Sequence, residues 1–242
     1  MEVKRFIENF KASFTDNAPL PIAFWYSSVP IADTQKLGGC LFKQINLARE
    51  GTPVTLTPDN IGCFGGKYYA GYIDKPERVP TFVSLTEKYK RSPEMVDEYL
   101  DKLGMPRMEM PYLNFSRTDN IDSFDGIEGL LFFAHADMLS GLCAWAYFDR
   151  NEADVVCSHF GSGCSNIISV AVVENRKPTG YRTFLGLFDV SVRPFVGTNE
   201  LSFVIPMCRF KEMYHTISEC CLSGSPAWKR VQQRLQEYYQ KK

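Results

Sequence analysis

Residues 129–148 read GLLFFAHADMLSGLCAWAYF, a largely apolar run of 20. A membrane span needs about 20 apolar residues without charges. His135 and Asp137 interrupt the run at its middle, where a charge is expensive in hydrocarbon. The run therefore divides into a buried strand over Leu130–Phe133 and a helix over Met138–Phe148 capped by Asp137. The rest of the second half repeats this alternation. A strand over Asp154–His159 leads through Gly161-Ser162-Gly163-Cys164 into a helix over Ser165–Glu174. Strands over Thr183–Phe188 and Leu201–Ile205 follow. Two helices close the chain, the last starting at Ser225-Pro226. Such alternation implies an α/β or α+β fold, a mixed sheet with flanking helices, clearest in the C-terminal half.

The first half is less regular. Val3, Phe6, Ile7, Phe10 and Phe14 have helical spacing, Leu20–Tyr26 reads as a strand, Leu41–Arg49 as a helix and Pro53–Thr57 as a short strand. Phe82–Tyr89 reads as helical. Ser92-Pro93-Glu94 starts a helix that runs to Leu103 and stops at Gly104. Residues 105–125 carry Pro106 and Pro111 and are the expected internal boundary or exposed crossing of an otherwise single domain over 1–242.

At 242 residues, 45% hydrophobic and 23% charged, the chain has the material for a sizeable core without disulfide staples. Its net charge of −1 and the lack of a basic run argue against a nucleic-acid partner. Glu2, Lys4, Arg5, Glu8 and Lys11 leave no apolar secretory signal at the start, so a cytoplasmic location is expected. There the eight cysteines would be thiols, ligands or redox groups.

Three of those cysteines sit among glycines, at Gly38-Gly39-Cys40, Gly62-Cys63-Phe64-Gly65-Gly66 and Gly161-Ser162-Gly163-Cys164. Glycine permits tight turns and close approach, so a thiol there can face a cleft. Cys40 and Cys164 each open a helix, where N–H groups and the dipole lower a thiol pKa, while Cys63 lies in a turn. Taken singly, each also fits a buried structural cysteine. No Cys-x-x-Cys occurs, which disfavours a local zinc finger. His135 and His159 fall at the ends of predicted parallel strands, an edge where ligands bind, and His159 could approach Cys164 as base or orienter. Asp189 and Arg193 share a loop, either paired with each other or serving as a ligand and an anion clamp.

The order Gly39-Cys40 plus helix, Gly62-Cys63-x-Gly65-Gly66-x-Tyr68-x-x-Gly71, the strand and helix of Leu130–Phe148, Ser162-Gly163-Cys164 and Asp189-x-Ser191-x-Arg193 resembles the uncharacterised ArCR family, domain of unknown function 169, of archaea and bacteria. The likeness runs from about Pro19 to Glu219. It implies thiols kept at Cys40, Cys63 and Cys164, with a fourth cysteine in many members where this chain has Asp189. Four thiols would suit an iron–sulfur cluster or a thiolate-bound metal, and three with a carboxylate a zinc or iron site with one harder ligand.

The leading expectation is a pocket lined by Cys40, Cys63, Cys164 and Asp189. It would bind a metal or metal cofactor, or do thiol chemistry on a small-molecule ligand. Cys40 and Cys164 would be ligands or nucleophiles, Cys63 a third ligand, and Gly65, Gly66, Tyr68, Gly163 and Arg193 would contact the ligand. The alternative is a non-catalytic binding module in which Trp25, Tyr26, Phe64, Tyr68 and Tyr69 line a cleft and the thiols are bystanders. The oligomeric state is left open, a homo-oligomer included.

Overall fold

The computed structural model describes residues 1–34, 38–159 and 161–241. Its elements, in chain order, are α1 (Val3–Ser13), β1 (Ile22–Ser27), α2 (Phe42–Arg49), β2 (Val54–Leu56), α3 (Phe64–Tyr69), α4 (Arg78–Thr81), α5 (Pro93–Leu103), β3 (Tyr112–Arg117), β4 (Gly129–Ala134), α6 (Ala136–Tyr147), β5 (Val156–Cys157), α7 (Val170–Asn175), β6 (Thr183–Gly186), β7 (Leu201–Pro206), α8 (Met207–Thr216) and α9 (Pro226–Gln240). Two π-helical turns, Phe82–Thr86 and Ser165–Ser169, follow α4 and lead into α7.

The strands form one sheet in the order β2-β3-β1-β4-β7-β6-β5. Among the described residues every neighbouring pair is antiparallel except β5 and β6. The fold is α+β. Successive strand residues point to opposite faces, and the cores divide accordingly. Ile22, Phe24, Leu131, Phe133 and Val204 join the core under α2, α3, α5 and α7. Ala23, Leu130, Phe132, Phe203 and Ile205 join the core under α1, α6, α8 and α9. Both faces of the central strands are therefore covered, and Leu130, Leu131, Phe203 and Val204 are fully enclosed.

Local signals explain the ends of two helices. Ser92 accepts from Met95 N, Pro93 opens α5, and Gly104 ends it in the left-handed conformation at φ 61°. Ser225 caps α9 in the same way.

Three expectations are corrected here. The segment 105–125 is not an exposed crossing: it supplies β3, paired with β1 over six positions and with β2 on its other edge. Its prolines lie before the strand, and its polar Asn114 is buried because Thr55 and Ser27 hydroxyls bond to its amide. The cap of α6 is His135, not Asp137, whose carboxylate lies 3.0 Å from Arg234 of α9. β4, which precedes His135, is antiparallel to both neighbours, so the parallel-edge argument does not reach that histidine. Instead, its ring packs on Tyr238, with centroids 4.2 Å apart. Among the described residues no helix is long and apolar enough to cross a membrane.

The second face depends on a glycine notch. A Cβ on Gly141 of α6 would lie 2.3 Å from the Trp228 ring and 2.9 Å from Phe14. Trp228 is fixed there by its Nε1–H bond to Ser13 O. Gly141→Ala is expected to destabilise the fold by about 1–3 kcal/mol through overpacking, read as a lower urea midpoint at unchanged slope.

Candidate functional site

The site begins with two turns that touch through their backbones. A Cβ on Gly62 would lie 2.5 Å from Gly39 N and 2.8 Å from Gly39 O, and Gly39 itself has φ 94°. No other residue type fits this approach. Cys40 and Cys63 immediately follow these glycines. The Cys63 backbone is extended, and its Sγ accepts from Gly66 N at 3.2 Å, capping α3. Cys63 thus stands at a helix start, where the sequence pattern alone indicates a turn.

The third turn packs against α2 and α5. A Cβ on Gly163 would meet the Phe42 ring of α2 at 2.8 Å, and one on Gly161 would strike Tyr99 Oη of α5 at 1.9 Å. Ser162 Oγ accepts from Ser165 N and its carbonyl from Asn166 N, which starts the wide turn leading into α7. Cys164 lies inside this helical start and is buried, whereas Cys40 and Cys63 are half-buried.

Together these turns floor a cavity of about 860 Å³. Cys40, Cys63, Cys164 and Asp189 all line it, as do Gly65, Gly66 and Gly163. Its walls come largely from apolar and aromatic side chains, among them Phe42, Tyr69, Val79, Val83, Val96 and Tyr99. Phe64 and Phe82, 71% and 51% exposed, stand at the mouth.

Other expected residues serve elsewhere. Arg193 spends its guanidinium on backbone carbonyls, bonding Glu200 O at 2.6 Å, Thr198 O at 2.7 Å and Gly197 O at 2.9 Å, so it braces a loop. His159 lies outside the lining and rests beside Phe184; partial desolvation, then Arg182 and Lys177, push its imidazole below the ordinary value. Tyr68 packs edge-on against Tyr69 in the core. Of the expected aromatic set, Phe64 and Tyr69 reach the cavity; Tyr26 bonds Ala70 O and Trp25 packs against the opposite face of the sheet. The contributions of α5 and of the Phe82–Thr86 turn went unread in the sequence. The helical spacing of Val96 and Tyr99 was the available signal, but it marks an inward face without saying that the face borders a void.

Asp189 is a pin. Its Oδ2 accepts from Gly163 N at 3.0 Å and its Oδ1 from Ser191 N and Oγ at 2.9 and 2.8 Å, with 7% of the residue exposed. It ties its loop to the Cys164 turn. The expectation of lowered thiol pKa values is overturned. Burial pushes Cys164 well above the ordinary 9.0, and Cys63, Cys40 and Asp189 add to the rise. Burial also raises Cys40; the Phe42 N–H offsets part of this, and Cys63 and Asp189 add to it. A helix terminus contributes roughly 0.3–1 kcal/mol, whereas full burial can shift a group by about 3–5 pK units, so burial wins.

The residues do not fit a resident metal ion as arranged. Among the described residues no group of three or more His, Cys, Asp or Glu side chains is gathered to hold one. Both Asp189 oxygens are already engaged by N–H and O–H donors.

The model of the uncharacterised ArCR family, domain of unknown function 169, matches residues 14–216, and the chain belongs to that family. No curated protein and no solved structure matches it.

Asp189→Asn, which turns one of the two acceptor oxygens into a donor facing either Gly163 N–H or the Ser191 donors, is expected to cost about 1–3 kcal/mol, measured by urea unfolding. The raised thiols carry a pH signature. A group that holds its proton more tightly in the folded state contributes stability below its unfolded pKa and loses it as pH rises through the folded one. Unfolding free energy should therefore fall above pH 9 and fall less in Cys164→Ala, and iodoacetamide should modify Cys164 last of the three at every pH.

Proposed function

We propose that the chain binds a small, mainly apolar organic molecule in the cavity and presents the thiols of Cys40, Cys63 and Cys164 to it. The observation that carries this reading is that three cysteines remote in sequence line one void whose walls are aromatic and aliphatic. Ligand pockets are commonly apolar hollows of about 300–1,000 Å³ with a few polar groups that fix orientation. Here the soft, polarizable groups are the three cysteine sulfurs, and charged groups such as Glu77, Arg78 and Glu87 also border the cavity. Asp189 holds the floor together and does not serve as a ligand. Thiol contact with an organic molecule fits this arrangement better than ion ligation, because the carboxylate is spent and the Cys40 and Cys164 protons are held tightly. A pure binding module with bystander thiols is the weaker reading, since Trp25, Tyr26 and Tyr68 lie away from the cavity.

A neutral apolar dye tests it. Nile red should bind saturably with one site per chain, slow the alkylation of Cys40 and Cys63, and lose tenfold or more in affinity in Val83→Trp, which fills the void. Equal dye affinity in wild type and a correctly folded Val83→Trp, or alkylation indifferent to the dye, would overturn the reading.

A further inference from the structure

Two of the three cavity thiols stand on turns in direct contact. Gly39 precedes Cys40 and Gly62 precedes Cys63, and a Cβ on Gly62 would fall within 2.5–2.8 Å of Gly39 backbone atoms. Each cysteine Cα is one trans peptide, about 3.8 Å, beyond its glycine. A second contact repeats the juxtaposition. At Gly66 an added Cβ would meet Cys63 Sγ at 2.9 Å and Cδ1 of Leu41, the residue after Cys40, at 3.7 Å. Disulfides span Cα separations of roughly 4.4–6.8 Å, so the pairing requires the two cysteines to stay as close as the touching turns that carry them. Both cysteines are half-buried and line the cavity, so a ligand can reach them, whereas Cys164 is only 8% exposed.

We propose that Cys40 and Cys63 form a dithiol–disulfide couple that reduces a small organic disulfide seated in the cavity. This rests on the cavity being a small-molecule site. Cys63, as thiolate, attacks one sulfur of R–S–S–R; that S–S bond breaks, the first RS⁻ leaves, and it takes up the proton Cys63 gave. Cys40 then attacks Cys63 Sγ in the mixed disulfide, the second RS⁻ leaves, and it takes up the proton of Cys40. Two electrons and two protons pass from the cysteine pair to the substrate, giving two RSH and a Cys40–Cys63 bond. Exchange proceeds through the thiolate, and burial holds the Cys40 proton. The second step therefore quickens as pH rises toward 9.

The test uses the full chain, reduced and kept free of oxygen, with hydroxyethyl disulfide as the probe. After acid quenching and N-ethylmaleimide, trypsin releases Cys40 in residues 37–43 and Cys63 in residues 50–67. The expected product joins these two peptides and accumulates several-fold faster at pH 9 than at pH 7. In Cys40→Ser, and in Cys40→Ala should the first variant fold poorly, the linked peptide disappears and a hydroxyethylthio adduct stays on Cys63. A link from either peptide to residues 151–176 instead, or complete maleimide labelling of both, overturns the couple. Nile red binding, measured in parallel, separates the two failures. Retained dye binding without the linked peptide sinks only the couple, and lost dye binding sinks the cavity reading beneath it.

Discussion

Gly62 lies against the turn of Gly38 and Gly39 with no room for a Cβ, and the geometry of the cavity follows from that approach. Two backbones this close fix the start of α2 relative to the start of α3, and with them the residues that follow each glycine. Gly66 continues the contact one helical turn further on, and Gly163 docks the third turn on Phe42 of α2. A larger residue at Gly62 or Gly163 must push apart segments more than twenty positions distant in sequence. The glycines here set the distances between elements, beyond merely allowing the chain to turn.

Burial decides the electrostatics of the site. Two cysteines at helix starts invite the reading of activated thiols, and the local hydrogen bonds do pull that way. Enclosure against the apolar core outweighs them, and the Asp189 carboxylate adds a negative charge where a thiolate would have to form. Cys40 and Cys164 thus hold their protons firmly and are not ready anions. Such thiols give up hydrogen reluctantly at neutral pH.

Much of the scaffold was legible in the sequence because its signals are local. The serine, proline and glycine around α5, the charged break inside residues 129–148 and the periodicity of α1 each act within a few residues. What escaped was non-local. β3 hid behind prolines and a polar pattern, and its buried Asn114 makes sense only once Thr55 and Ser27 lie beside it. Asp137 looked like a cap because its partner, Arg234, is nearly a hundred residues away. Strand direction depended on pairing that periodicity does not encode, which misplaced His135. The Gly-Cys pattern pointed to three close approaches without saying what approached what. Arg193 had the chemistry of a clamp, and only the folded loop shows that carbonyls already fill it.

The wide turn at Ser165–Ser169 has a consequence for where the third sulfur points. A π-helical turn carries one more residue than an α-helical turn, so the residues before it are rotated by about 100° relative to those after it. Beyond the bulge, Val170, Ala171 and Val172 bury themselves on the sheet. Ahead of it, Cys164 borders the hollow. An unbroken α-helix through this stretch would turn Cys164 by about 100° relative to the residues that follow the bulge. The irregularity works as a built-in swivel, letting one helix answer to two different neighbours along its length.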